Sequence, residues 1–172
     1  MNDSKVRYGT VSRIFHWGMA FLIGWQALKI FDRIDDGEHW VGETLVPWHV
    51  SIGTLLFVLV VLRLIWAIRQ KDNRPPHDRS TVMLVKAGHG LMYLAILLLP
   101  PLGVLLLVGN GYGWTAFGVE LIAEGEKVPW MTSIGSLHSP VALFLVALII
   151  GHVAVALWHH VVKKDDVLRR MV

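Results

Sequence analysis

The chain has 172 residues, of which 54% are hydrophobic, and its formal net charge is only +3. The charged residues are grouped and leave long apolar gaps between them, which is typical of a membrane protein rather than a soluble domain of this length. The sequence lacks cysteine, which excludes disulfides, thiolate-bound zinc, iron–sulfur clusters and covalently attached c-type haem.

Four apolar stretches are long enough to cross a bilayer, because a hydrocarbon core about 30 Å thick needs roughly 20 apolar residues of helix. We predict an all-α integral membrane protein whose single domain, residues 1–172, is a bundle of four transmembrane helices. The predicted spans cover residues 14–31, 49–68, 82–108 and 137–162. The first is interpreted as a retained span rather than a signal peptide, because it is too long and lacks a small-residue cleavage site. The stretch from Asn110 to Ser136 is expected to be non-helical.

Basic residues mark one side of these spans, and the positive-inside rule assigns that side to the cytoplasm. They are Lys5, Arg7, Arg13, Arg69, Lys71, Arg74, Arg79, Lys86, Lys163, Lys164, Arg169 and Arg170. The opposite side carries most of the acids, which are Asp32, Asp35, Asp36, Glu38, Glu43, Glu120, Glu124 and Glu126. Both termini are therefore predicted to face the cytoplasm.

Seven of the nine histidines lie in the predicted spans or at their ends, where a polar ring is costly and usually functional. His138 and His152 are 14 residues apart in the fourth span. That spacing is ~21 Å along a helix and nearly a whole number of turns. One face of the fourth span therefore presents two imidazoles at two depths.

Each of these two histidines has a counterpart at matching depth in another span. His49 matches His138 near the outer face, and His16 matches His152 toward the cytoplasm. Two facing imidazoles can clamp an iron porphyrin from both sides, and helix bundles commonly hold cofactors between facing helices. With both axial positions closed, such a centre carries electrons rather than activating oxygen. Zinc is disfavoured because these stretches contain no carboxylate to complete its ligand set.

The remaining polar residues of the spans leave alternatives open. His89 could replace His16 or His152 as a ligand, could bind a quinone or a haem propionate, or could form a hydrogen bond between helices. Arg63 could pair with a propionate of the inner haem, or it could extend its charge to the cytoplasmic headgroups. His159 is interpreted as an interfacial residue or as part of a quinone pocket.

His160 has the same two interpretations as its neighbour His159. His39 and His77 fall in predicted loops and are interpreted as solvated.

Four motifs of the chain resemble those of the bacterial cytochrome b561 family. They are Arg13-Ile-Phe-His16-Trp17, Trp48-His49-Val-Ser-Ile-Gly53, Ala87-Gly-His89-Gly-Leu-Met-Tyr93, and the end of the chain from His152 to His160 with Lys164-Asp165 and Leu168-Arg169-Arg170-Met171. The resemblance covers nearly the whole chain and implies a four-helix protein of the bacterial inner membrane with two b-type haems. Matched by motif, the haem ligands of that family fall on His16, His49, His138 and His152.

Some members of that family resemble superoxide:ubiquinone oxidoreductases, so the leading hypothesis is electron transfer across the membrane from an outer one-electron donor to a quinone. The electron would pass from the outer to the inner haem and then to ubiquinone near His159, His160 and Lys163. The flow could also run the other way, since the sequence does not fix the redox potentials. Superoxide is one candidate donor, although the acidic outer loops would repel an anion. Whether the chain is itself an enzyme is left open.

The alternative hypothesis is a haem b membrane-anchor subunit that serves a separate dehydrogenase or hydrogenase through a docked redox partner. A haem-free proton relay is disfavoured because the spans lack the acidic pairs typical of such relays. Membrane lipid and quinone are the expected partners, and nucleic acid is not.

Overall fold

The computed structural model describes residues 2–33, 38–76 and 81–172, and for residues 31–33 it describes the backbone alone. His77 lies outside the described residues. So do three of the charged residues used to predict the orientation, namely Asp35, Asp36 and Arg79.

Four long helices occupy the predicted spans. They are α1 (Thr10–Ala27), α3 (His49–Arg69), α4 (Val82–Gly109) and α6 (His138–Trp158), and their ends lie within four residues of the predicted bounds. The shorter elements are a 3-10 turn (Leu28–Arg33), α2 (Trp40–Thr44), a second 3-10 turn (Val46–Trp48), β1 (Trp114–Ala116), β2 (Val119–Ile122), α5 (Pro129–Gly135), a π-helical turn (His159–Lys163) and a last 3-10 turn (Arg169–Met171).

Three stretches of the described chain are long and apolar enough to cross a membrane, judged by length and composition: Trp40–Arg69, Val82–Gly109 and Pro129–Lys163. Helix α1 is not among them, because Arg13, His16 and Gln26 interrupt its apolar sequence. The chain is thus a mostly helical, multi-pass membrane protein, and a fourth span through α1 stays a prediction.

The long helices pack in a series in which α1 contacts α3, α3 contacts α4, and α4 contacts α6. A small buried core of Met19, Ile52, Leu56 and Val60 joins α1 to α3. Many other large apolar side chains are exposed, as expected for helices whose outer faces contact hydrocarbon.

The connection between α4 and α6 is not wholly irregular, so the prediction of a non-helical stretch was wrong in part. Strands β1 and β2 pair as an antiparallel hairpin. Its turn needs positive φ at two positions, and Phe117 (51°) and Gly118 (77°) supply them. Helix α5 follows and lies against α4, where a Cβ on Gly135 would come within 2.4 Å of the Leu106 nitrogen.

At one end of the bundle the N-terminal segment, the start of the α3–α4 connection and the C-terminal segment meet. Arg74 pairs with the buried carboxylate of Asp3 at 3.3 Å. The Tyr8 N–H donates to the Arg170 carbonyl at 3.1 Å. The Arg170 guanidinium in turn donates to the Pro76 carbonyl at 3.1 Å. These three segments, all predicted to be cytoplasmic, therefore lie at the same end of the molecule.

Candidate functional site

The first histidine pair lies where α3 and α6 begin. The rings of His49 and His138 have centroids 6.0 Å apart and planes inclined at 73°. His138 Nδ1 lies 2.9 Å from the Leu99 carbonyl oxygen. Because a carbonyl only accepts, the proton is on Nδ1, which leaves Nε2 as the nitrogen that can bind a metal.

A glycine makes room for the His138 ring on α4. A Cβ added at Gly103 would lie 3.2 Å from both Cε1 and Nδ1 of His138, which is tighter than an ordinary van der Waals contact. Sequence reasoning did not single out Gly103, because nothing in its neighbourhood marks it as facing a ring on a distant helix.

The second pair lies deeper along the bundle. His16 of α1 and His152 of α6 have ring centroids 6.3 Å apart, with planes inclined at 58°. His89 of α4 is also close, with its centroid 5.3 Å from that of His152. His89 Nδ1 donates to the Val85 carbonyl at 2.7 Å, which is a bond within its own helix rather than between helices.

Arg63 lies at this inner pair and points into the bundle. Its Nη2 is 3.1 Å from His16 Nδ1, and its Nη1 is 3.9 Å from Met19 Sδ. The guanidinium carbon lies 5.3 Å from the centre of the Tyr93 ring. Tyr93, which the sequence did not mark as functional, thus faces the same cation from α4.

The space between the helices is large enough for more than one cofactor. The cavity that contacts all five of these histidines has a volume of about 3620 Å³, whereas a typical small-molecule site has roughly 300–1,000 Å³. Gly88, Gly90 and Gly151 line it, and a Cβ added at any of them would meet no atom within 4 Å. These glycines therefore leave open space beside the rings instead of tightening a helix contact.

The ring separations match the ligand geometry of an iron porphyrin. Two imidazoles that bind one metal ion from opposite sides, with bonds of about 2 Å, have centroids about 6 Å apart. The separations of 6.0 and 6.3 Å agree with that distance. The described residues contain no group of three or more His, Asp or Glu side chains suited to a metal ion.

The cavity continues to the C-terminal end of α6, where His159 and Lys163 line it. His159 Nδ1 lies 2.5 Å from Asp165 Oδ2, a contact that sequence spacing did not reveal. Lys163 Nζ lies 4.8 Å from the Trp158 ring centre. His160 is exposed and is not part of the cavity wall.

Comparison with known proteins agrees with the resemblance seen in the motifs. A family model described as prokaryotic cytochrome b561 matches residues 7–172. Cytochrome b561 homolog 2 of Escherichia coli strain K12 is 30% identical, over 98% of this chain and 93% of that protein. The probable superoxide oxidase CybB of Yersinia pestis is 27% identical, over 96% and 95%. Cytochrome b562 of Cereibacter sphaeroides is 28% identical, over 95% and 94%.

The family match covers far more than half of the chain, and it includes both histidine pairs, Arg63 and the C-terminal end of α6. This chain belongs to the prokaryotic cytochrome b561 family, which implies that it binds b-type haem.

Proposed function

We propose that this protein transfers electrons across the bacterial inner membrane with two haem b groups. His49 and His138 would hold the outer haem, and His16 and His152 the inner one. The observation that carries the proposal is the matching separation of the two ring pairs, 6.0 and 6.3 Å. When bound between these histidines, each haem would supply reversible one-electron chemistry.

The choice of His16 over His89 as the partner of His152 rests on distance. Rings on opposite sides of one iron have centroids about 6 Å apart. The His16–His152 separation of 6.3 Å fits, whereas the His89–His152 separation of 5.3 Å is too short. His89 instead stays available beside the inner site, where its Nε2 can accept a hydrogen bond from the hydroxyl of a quinol or from a protonated propionic acid.

Arg63 would change partners when the inner site is filled. A neutral imidazole has a single N–H, so a His16 ring that binds iron through Nε2 carries its proton on Nδ1. It then cannot accept the hydrogen bond from Arg63 that is present now. The freed guanidinium is close enough to the inner site to neutralise a propionate, which needs a cation when it is removed from water.

A quinone at the cytoplasmic end of the cavity is the electron acceptor that we propose. His159 and Lys163 line this end. Lys163 offers hydrogen-bond donors to a quinone oxygen, and His159 does so in its protonated form. His160 is left out of this site because it is not part of the cavity wall. On the outer side, a one-electron donor would deliver electrons. Superoxide is the candidate suggested by the name of the Yersinia relative.

A membrane-anchor subunit for a separate oxidoreductase is the second candidate function. It is favoured by the hairpin between α4 and α6, whose apolar side chains at Phe117, Val119 and Leu121 are about half exposed. Such a surface is a plausible contact for a docked protein. Co-purification of a partner would favour the anchor, and quinone reduction by the isolated protein would favour the enzyme.

The haem content of purified protein tests the ligand assignment. The difference spectrum between dithionite-reduced and oxidised protein should correspond to two haem b groups per chain. His138→Ala should remove one of them and retain the other, and His152→Ala should remove the other one. Retention of both haems in either variant would contradict the assignment for that histidine, and loss of both in every variant would contradict independent sites.

A further inference from the structure

The cytoplasmic end of α6 brings a histidine and an aspartate into contact where the cavity meets water. His159 Nδ1 and Asp165 Oδ2 are 2.5 Å apart, and their side chains are 18% and 38% exposed. Both residues line the cavity. The pair therefore reaches from the proposed quinone site to the cytoplasmic surface.

The backbone that follows α6 holds the Asp165 carboxylate in place. The π-helical turn His159–Lys163 ends α6, and Lys164 then takes a left-handed conformation with φ 54° and ψ 35°. This reversal brings the Asp165 N–H to 3.3 Å from the His159 carbonyl. Asp165 Oδ1 accepts from the Val167 N–H at 3.1 Å, so the second oxygen is left to face the ring.

The surroundings of Asp165 favour its ionised form. The hydrogen bond from His159, and to a smaller extent the charges of His159 and Lys163, lower the pKa of Asp165. The next acid along the chain is not involved, since Asp166 pairs with Arg169 at 3.4 Å and is not part of the cavity wall.

We propose that His159 donates protons to the quinone and that Asp165 is the positioning residue that orients the ring and stabilises its positive charge. This inference rests on the proposed reduction of quinone. One quinone takes up two electrons, which the outer donor loses one at a time, and two protons. For each proton, the Nε2–H bond of the His159 imidazolium breaks and an O–H bond forms on a quinone oxygen. The neutral ring then recovers a proton from cytoplasmic water.

The test compares two neighbouring acids with the same substitution. Holoprotein with reduced haem is mixed with a short-chain ubiquinone, and haem reoxidation is followed in H₂O and in D₂O. Asp165→Asn should slow reoxidation by about 10-fold or more and increase the solvent isotope effect, because general acid catalysis contributes about 10² to 10⁴ in rate. Asp166→Asn should reoxidise as wild type does. Haem reoxidation in His159→Gln should be slower than in either aspartate variant.

A second measurement detects the contact between His159 and Asp165 in protein that is not transferring electrons. In protein with ¹⁵N-labelled histidine, the His159 nitrogens should show the signature of an Nδ1–H hydrogen bond to a carboxylate. Asp165→Asn should lose that signature and Asp166→Asn should keep it. Unchanged haem content and unchanged reduced spectra establish that the variants are folded.

The outcomes separate this inference from the proposed function. Wild-type reoxidation in Asp165→Asn, or equal slowing in Asp165→Asn and Asp166→Asn, would overturn the role of Asp165. A fully loaded wild-type protein that passes no electrons to ubiquinone would overturn quinone reduction itself, and the inference with it.

Discussion

Gly103 leaves the space in which the His138 ring lies. A Cβ at this position would be 3.2 Å from two ring atoms, so the ring would have to move by a few tenths of an ångström. Because the ring also bonds the Leu99 carbonyl on the same helix, it has little freedom to do so. We expect Gly103→Ala to lower the outer haem content and Gly103→Val to abolish it, as measured by haem counted per chain.

Gly18→Ala is the matched control for this substitution. Gly18 is also on a long helix, but a Cβ there would meet no atom within 4 Å, and the residue is not part of the large cavity wall. Two haems per chain in Gly103→Val would show that His138 does not depend on this space.

Arg63 should raise the midpoint potential of the inner haem. A nearby cation stabilises the reduced form, which carries one positive charge less, and it does so more strongly in a bundle interior than in water. Arg63→Met should therefore lower the midpoint potential of the inner haem and leave the outer one unchanged, as measured by a redox titration. Arg69→Met is the control, because Arg69 is on the same helix but exposed at its end.

An unchanged inner potential in Arg63→Met would contradict this role. Equal shifts in both variants would assign the effect to the general charge of the cytoplasmic side.

The contact between the N-terminal and C-terminal segments should loosen at high pH. Tyr8 lies in this contact, where burial raises its pKa above the usual 10.0 while the charge of Arg74 opposes the rise. A raised pKa means that the folded protein holds this proton more tightly than the unfolded one. The contribution of Tyr8 to the stability of the folded protein is therefore complete below about pH 10. It is lost as the pH rises through the pKa that Tyr8 has in the folded protein.

Tyr8→Phe should remove this alkaline loss, because phenylalanine has no proton to release. The measurement is the thermal midpoint in detergent at increasing pH, together with the absorbance of tyrosinate. Tyr112→Phe is the control, since that side chain is 69% exposed in the α4–α6 connection. Identical pH profiles for wild type and Tyr8→Phe would count against a buried hydroxyl at this contact.

The long helices could be predicted from the sequence because a helix that crosses hydrocarbon needs a long run of apolar residues. Helices α3 and α4 begin at the predicted residues, His49 and Val82. Helix α5 could not be predicted in the same way, since it has only seven residues and depends on its contact with α4. Its close approach at Gly135 involves a distant residue, Leu106, and sequence periodicity carries no information about that contact.

The candidate site could be predicted in the parts that repeat along a helix. A spacing of 14 residues places His138 and His152 on one face whatever the details of packing, and each ring does lie about 6 Å from its predicted partner. The Asp165 contact could not be predicted, because it depends on a π-helical turn and a left-handed residue. Neither feature follows the regular helical period.

The distribution of charge over the whole molecule predicts its orientation in the membrane. The N-terminal segment, the start of the α3–α4 connection and the C-terminal segment contact one another at one end. Together with the helix ends beside them, these segments carry ten of the 16 Lys and Arg residues. The positive-inside rule acts on such short flanking segments. Helix α1, with 18 residues, would be about 27 Å long, which is close to the bilayer core thickness of about 30 Å.

Reporter fusions at three positions test this arrangement, including the span through α1. A reporter joined after Val172 should be active only as a cytoplasmic protein, and one inserted at the hairpin turn, between Phe117 and Gly118, only as an external protein. A reporter joined before Asn2 should also be active only as a cytoplasmic protein, because four crossings, including one by α1, return the chain to the side on which it begins. An external signal at the N-terminus with a cytoplasmic one after Val172 would mean that α1 does not cross the membrane. Such a result would also remove His16 from the depth at which its ring meets that of His152, so it would contradict the proposed inner haem site as well.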